Sequence, residues 1–419
     1  MTSRFLSAGA ALAFGLTLTA GGTALAAPKG VVDPKVSSVV RGDAAALGFD
    51  PAKLAAAGEG LKADVAAGKI AGAYLLVGRH GKVVYETSAG TQGPGQTAPI
   101  TDETIFRVFS MSKPIVTVTA MTLVEEGKLD LDAPVSKYLP EYANLKVWQA
   151  DGTTKPATRP MLVRNLMSHT SGLIYGFIQP TTPLSKAWDA GGENNDHVTT
   201  REYARVIAKL PLRSEPGTAW YYSRSTDVLG ALVEAVGGKP LDVMVKERVT
   251  GPLGMTDTGF VQPAASKARF AEPAKGDVVY YDYTKKPSLL SGGGGISSTA
   301  EDYLRFVLML ENGGEYKGVR ILKTATLERM RQDETTPEIQ KAGLFFPGPG
   351  MGFGLGFSLV KGPPQLPGVG TFSWWGIAGT EFWVDPKNDV FMVFMVQSRD
   401  LAMDYQRKNR KWIYDALVK

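Results

Sequence analysis

A serine hydroxyl attacks a carbonyl only when a base takes its proton, and Ser110-Met111-Ser112-Lys113 sets a hydroxyl and an amine three residues apart. Residues i and i+3 are neighbours on a helix, so the Lys113 amine can reach Ser110 if this segment opens one. A desolvated Lys113 is then a base once its pKa falls, or it stays cationic and lowers the pKa of a tyrosine that acts instead. The plainer alternative is a lysine that pairs with an acid or snorkels from a helix end. A second match, Ser358-Leu359-Val360-Lys361, lies in an alternating run with Gly352, Gly354 and Gly356 on one face. Positions three apart on a strand point to opposite faces, so that pair cannot meet.

Few other residues offer comparable chemistry. The 419 residues include no cysteine and three histidines, His80, His169 and His197. Thiolate nucleophiles, disulfides, Cys-ligated zinc and iron-sulfur clusters are excluded, as is a His-x-x-x-His metal helix. We expect no metal and no cofactor. His169 reads as a helix-end residue, and His80 and His197 as solvent-facing. No G-x-S-x-G elbow occurs, which argues against a Ser-His-Asp triad on an α/β-hydrolase fold. Gly292 to Gly295 lack the Lys-Ser/Thr of a phosphate loop and read as a tight connector. The formal charge of +5 is spread along the chain. Its one cluster, Arg407-Lys408-Asn409-Arg410-Lys411, reads as the wet face of a terminal helix, so no nucleic-acid partner is expected.

The elements that must position Ser110 and Lys113 follow from periodicity. Pro114 is tolerated only in a first turn, which starts a helix at about Ser110; the apolar residues of 114–124 lie nearly all round it and predict burial. The helix dipole adds positive potential at the serine. Helical spacing recurs at 51–67, 163–168, 200–209, 226–236 and 241–249. Residues 71–77 and 82–87 predict a hairpin through Arg79-His80-Gly81. Residues 352–360, 371–375, 381–384 and 390–397 predict further strands, followed by a closing helix at 402–418. Since one hairpin is not a stable sheet, the expected class is α+β, with an antiparallel sheet built from both chain ends, flanked by terminal helices and interrupted by a mostly helical insertion. Expected units are 27–105, 106–285 and 286–419. Residues 1–26, with Arg4, an apolar run and Ala24-Leu25-Ala26, predict a cleaved signal peptide, export to the periplasm or exterior, and no stable membrane span afterwards.

Several stretches together resemble the serine hydrolases of the class C β-lactamase and D-alanyl-D-alanine carboxypeptidase fold, with the family VIII carboxylesterases the most similar branch. They are Phe106 to Lys113, Leu166 to Leu173, Pro216 to Ser223, Gly294 to Asp302 and Trp374-Trp375-Gly376, in the family's order along nearly the whole mature chain. The resemblance implies Ser110 as nucleophile with Lys113 and Tyr222 as the base system, Tyr221 being the rival tyrosine. It implies an oxyanion hole from the Ser110 and Ile377 N-H groups and substrate contacts from Trp374, Trp375, Gly376, Arg224 and Tyr221. Phe345, Phe346, Phe353 and Trp148 are further candidates for an acyl pocket.

Two departures shape the expected substrate. Arg224 stands where many relatives have the Asn of Tyr-x-Asn, and Trp374 stands where β-lactamases hold a Lys. Both weaken amide and carboxylate recognition and favour a neutral ester, with Arg224 as a candidate substitute cation that keeps β-lactamase activity as an alternative. The expectation is a secreted esterase acting on small-molecule esters through a Ser110 acyl-enzyme, with Tyr222 as a phenolate stabilised by Lys113 and the microscopic base left open between them. The alternatives are a β-lactamase or D-alanyl-D-alanine carboxypeptidase, an acyltransferase, and a non-catalytic binding protein on this scaffold.

Overall fold

The computed structural model describes residues 30–418 except 36, 179–180, 275–281 and 364–367. The expected signal peptide therefore lies outside the described residues. In chain order, α1 (Pro51–Ala66) precedes the hairpin β1 (Gly72–Arg79) and β2 (Lys82–Gly90), and a two-residue strand β3 (Phe106–Arg107) leads into α2 (Ser112–Glu125). The middle carries a small hairpin, β4 (Lys146–Trp148) with β5 (Thr154–Pro156). Helices α3 (Val163–Met167), α4 (Pro183–Ala190), α5 (Thr200–Ile207), α6 (Ser225–Gly237) and α7 (Leu241–Val245) follow. Then come β6 (Ser297–Ser298), α8 (Ala300–Glu311), the hairpin β7 (Glu315–Tyr316) and β8 (Val319–Arg320), α9 (Thr324–Met330) and α10 (Pro337–Ala342). Strands β9 (Met351–Phe353), β10 (Ser358–Val360), β11 (Phe372–Trp375), β12 (Glu381–Asp385) and β13 (Val390–Val396) and helix α11 (Ala402–Ala416) complete the chain.

The principal sheet is antiparallel and runs β2-β1-β13-β12-β11-β10-β9, so the N-terminal hairpin joins the C-terminal strands as expected. Next to its central strand β12 lies β13, whose seven residues are all buried. Met392, Phe394 and Val396 face α1 and α11, whereas Phe391, Val393 and Met395 belong to the larger core shared with the helical middle. A strand covered on both faces reads as a continuous apolar run.

Local chemistry explains the ends of these elements. Asp50 caps α1 by accepting from the Ala52 and Lys53 N-H groups, with Pro51 at the first helical position. The turn between β1 and β2 places His80 and Gly81 at φ of 51° and 69°, as a tight hairpin requires. One strand expected over 352–360 is instead the hairpin β9 and β10, with Gly352 paired to Leu359. The alternating glycines that mimicked a strand period allow the chain to reverse at Gly354 to Phe357. Helix α8, buried from Asp302 to Leu310, was not anticipated; its apolar residues follow the Gly-Ile-Ser-Ser stretch without a break in composition.

Candidate active site

Ser110 sits where a short strand meets the most deeply buried helix. Pairing of Phe106 with Ser298 and Arg107 with Ser297 anchors the approach. Val108 N-H donates to the Ile296 carbonyl at 3.2 Å, Ile296 N-H to Ser112 Oγ at 3.0 Å, and the Tyr303 hydroxyl to the Met111 carbonyl at 2.9 Å. A 3-10 turn over Phe109–Met111 presents Ser110 just before α2, with Phe109 at a φ of 44°. A non-glycine residue at positive φ is costly and persists only where its surroundings hold it.

Lys113 and Tyr222 converge on that serine. Lys113 Nζ lies 3.1 Å from Ser110 Oγ and donates to the Gly293 carbonyl at 2.6 Å. The Tyr222 hydroxyl lies 2.5 Å from the same Oγ, and Lys113 Nζ stands 4.5 Å from the Tyr222 ring centroid. Burial pulls the Lys113 amine down to about 7; the Asp227 carboxylate opposes this and Arg224 assists it. At neutral pH a large share of this lysine is therefore free amine. Burial pushes the Tyr222 phenol well above its ordinary value, although Ser110 and the nearby Trp374 indole N-H favour the phenolate. That N-H lies close to the phenol without reaching a well-formed hydrogen bond.

The tetraglycine is part of this site, and reading it as a mere connector missed that. The Gly293 carbonyl holds Lys113, its N-H donates to Asp227 Oδ1 at 3.0 Å, and Ser291 Oγ donates to the same oxygen at 2.5 Å. A Cβ on Gly293 would lie 2.7 Å from the Tyr175 hydroxyl and 2.8 Å from Asp227 Oδ2, so any other residue would force one of these groups or the loop to move. Four successive glycines were the sequence signal for such a close backbone approach. Tyr175 was also missed: its ring lies 5.3 Å from that of Tyr222 and 5.4 Å from Lys113 Nζ.

Arg224 is not a free cation for a substrate. Its Nε donates to Glu193 Oε1 at 3.2 Å, an Nη to Asn194 Oδ1 at 3.2 Å, and its other Nη lies 3.8 Å from Asp227. The guanidinium covers the Tyr175 ring at 4.8 Å. Glu193, whose carboxyl is raised by burial, also accepts from Gly176 N-H.

The opposite wall comes from the end of β11. A Cβ on Gly376 would lie 2.4 Å from the Val108 carbonyl, and Thr380 Oγ1 donates to that carbonyl at 3.2 Å. This contact brings the Ile377 turn beside the Ser110 turn. Among the described residues, neither the Ser110 nor the Ile377 N-H donates to a protein acceptor, as an oxyanion hole requires. Trp374 packs on Tyr222 with ring centroids 5.4 Å apart. Both Trp374 and Trp375 reach Phe346, at 6.0 and 6.1 Å, although alternation should send them to opposite faces. Trp375 is the last residue of its strand, where the pleat no longer fixes its ring. Phe345, Phe346 and Phe353 cluster on Trp220, whereas Trp148 makes no ring contact with them.

The remaining candidates sit apart from the nucleophile or beside it as support. Tyr221 turns its hydroxyl to the Ala342 carbonyl at 3.2 Å, so the structure brings Tyr222 and not Tyr221 to Ser110. Buried His169 has a φ of 57°, lies 4.8 Å from the Tyr222 ring and shares a hydrogen bond with Ser223. Burial lowers its pKa well below the usual value, which keeps it neutral. His80 pairs with Asp389, and His197 is almost fully exposed. Ser358 bonds within the sheet while Lys361 pairs with Asp333, so the second S-x-x-K pair does not meet. In the basic cluster, Arg407, Lys408 and Lys411 pair with Asp404, Asp64 and Asp415.

Residues 59–416 match the model of a family described as Beta-lactamase. The chain is 37% identical to Protein Rv1367c of Mycobacterium tuberculosis, over 81% of this chain and 88% of the relative. It is 31% identical to Esterase EstB of Burkholderia gladioli, over 76% of this chain and 83% of the relative. Among solved structures it resembles EstCE1, described as a hydrolase with promiscuous acyltransferase activity, at a TM-score of 0.72 and 28% identity. That match covers 88% of this chain and 99% of the other.

Proposed function

We propose, since this chain belongs to the beta-lactamase family and is similar to Esterase EstB, that Ser110 takes an acyl group from an ester and passes it to an alcohol as well as to water. The chain is an enzyme of the serine hydrolase and acyltransferase type that acts on esters. The observation that carries the finer reading is one oxygen, Ser110 Oγ, within reach of both a buried amine and a buried phenol. The sequence placed hydrolysis first. The name of EstB supports hydrolysis, and the description of EstCE1 as a hydrolase with promiscuous acyltransferase activity supports acyl transfer beside it, because both outcomes share one acyl-enzyme.

The electrostatics favour Lys113 as the base. Its free amine takes the Ser110 proton as Oγ attacks the carbonyl, and the N-H groups of Ser110 and Ile377 hold the oxyanion, each contributing about 3 kcal/mol. The proton then passes from the Lys113 ammonium, directly or through the Tyr222 hydroxyl, to the departing alcohol. An incoming alcohol or water gives its proton to Lys113, attacks the acyl carbon, and Ser110 recovers its proton as the bond to Oγ breaks. The partly exposed rings of Phe346 and Trp375, backed by buried Trp220 and Trp374, fit an apolar acyl group. With Arg224 held by Glu193 and Asn194, we read β-lactams and D-alanyl peptides as poor substrates.

Intact-mass analysis with p-nitrophenyl butyrate, repeated with added methanol, tests this. A butyryl adduct on Ser110 and methyl butyrate as product are expected. Full turnover by Ser110→Ala would overturn the nucleophile, and butyric acid alone at high methanol would reduce the function to hydrolysis. We also propose export, for which the secreted protein should begin at Ala27.

A further inference from the structure

Asp227 lies on the first turn of α6, fully buried, and makes no hydrogen bond to Ser110, Lys113 or Tyr222. Its Oδ1 accepts from both Ser291 Oγ and the Gly293 N-H, and the carbonyl of that same Gly293 receives Lys113. One carboxylate oxygen therefore fixes the loop from which the amine hangs. Its Oδ2 is buried without a hydrogen-bond partner and faces the Arg224 guanidinium at 3.8 Å. Arg224 is in turn tied to Glu193 and Asn194 on the loop before α5.

Resting on the reading of Lys113 as base, we propose that Asp227 is a positioning residue that sets this base through the tetraglycine loop, and that Arg224 counterbalances its charge, so that the pair governs how readily the amine takes and releases a proton. The groups around Lys113 leave few other fixed charges. Ser110 stands on its own turn, Tyr222 before α6, Tyr175 and His169 on the stretch after α3, and Tyr203 on α5. Burial holds Tyr175, Tyr203 and Tyr222 as neutral phenols and His169 as neutral imidazole. Glu193 is engaged by Arg224. Asp227 and Arg224 remain, and they act in opposite directions: the carboxylate favours the ammonium form of Lys113 and the guanidinium favours the free amine.

The two signs make the test directional. Asp227→Asn keeps an acceptor for Ser291 and Gly293 and removes the charge. The rising limb of kcat/KM for p-nitrophenyl butyrate should move to lower pH, raising activity at about pH 6, relative to the variant's own plateau, about threefold over wild type. Arg224→Met should move the limb the other way by a similar factor. Asp227→Ala removes the acceptor as well, and its plateau should fall about tenfold as the carbonyl under Lys113 loses its support. A limb unmoved in Asp227→Asn, or moved the same way in both charge variants, overturns the proposal. If Asp227→Asn does not fold, the direction seen with Arg224→Met decides alone. Wild-type protein that forms a Ser110 adduct but shows no limb at neutral pH overturns the reading of Lys113 on which this rests, a different failure from a limb that the variants leave in place.

Discussion

Lys113 and Arg224 are two basic side chains in one site, both within 5.4 Å of the Tyr175 ring centroid, and they meet opposite fates. Lys113 has a serine hydroxyl and one backbone carbonyl as partners and no carboxylate in contact, so desolvation wins and the amine falls to about 7. Arg224 is less deeply buried, with 15% of its side chain exposed, and lies against Glu193 and Asp227; although desolvation lowers its pKa, Tyr203, Asp227, Tyr175 and Glu193 together raise it. The side-chain types suit the outcomes. An ammonium gives up its proton readily when desolvated, whereas a guanidinium does not and can hold several acceptors in one plane. Burial alone thus does not make a base; burial without an anion does.

Lys113→Arg is the strongest way to break this comparison. It keeps the positive charge and removes the titratable amine, so kcat/KM should fall by about 10³ to 10⁴, as expected for loss of a general base. Activity within tenfold of wild type would mean that charge, not proton transfer, is what the site needs. The pH dependence has a definite sign. Because the Lys113 pKa is lowered from 10.5 to about 7, free amine accumulates as pH rises through about 7, so wild-type acylation should climb across that window and level above it. Next in size is Tyr222→Phe, which leaves the amine and removes the hydroxyl 2.5 Å from Ser110. A loss of about 10² is expected, against little change in Tyr221→Phe, measured as single-turnover acylation; the reverse order would move the role to Tyr221.

A smaller effect is expected where the comparison depends on backbone atoms. Gly293→Ala places a Cβ against Tyr175 and Asp227, so the carbonyl under Lys113 must shift, and a loss of up to about 10² in kcat with intact folding is expected. Near-native kcat would show that this carbonyl does not place the base. The same residue marks the limit of what the sequence displayed. Ser110 and Lys113 were legible because their spacing sits on one helical turn, and Tyr222 because its neighbours fit a known order. A carbonyl has no letter of its own, and only the run of four glycines hinted that backbone would approach something closely. Glu193 and Arg224 stand far apart in sequence on separate elements, so no spacing announced their pairing, and Arg224 was read as available to a substrate. In the fold, the hairpin at 71–87 joined the C-terminal strands as expected. The run at 352–360 was misread because alternating glycines serve a reversal as well as a strand.

Arg224→Lys should have the smallest effect and sharpens the comparison most. The substitution keeps a cation beside Asp227 but loses the planar fork that reaches Glu193 and Asn194 together. An ammonium there retains most of the counter-charge, so kcat should fall only about threefold, while the weakened tie to Glu193 lowers stability by about 1 kcal/mol in thermal unfolding. Lys113→Arg and Arg224→Lys exchange the same two side-chain types in opposite directions within one site. If the first is crippling and the second mild, the titrating proton belongs to Lys113 and the fixed charge to Arg224. If both cripple the enzyme equally, with KM rising in Arg224→Lys, then Arg224 leaves its carboxylates to meet the substrate. The carboxylate-bearing β-lactams and peptides would then return as candidates for this site.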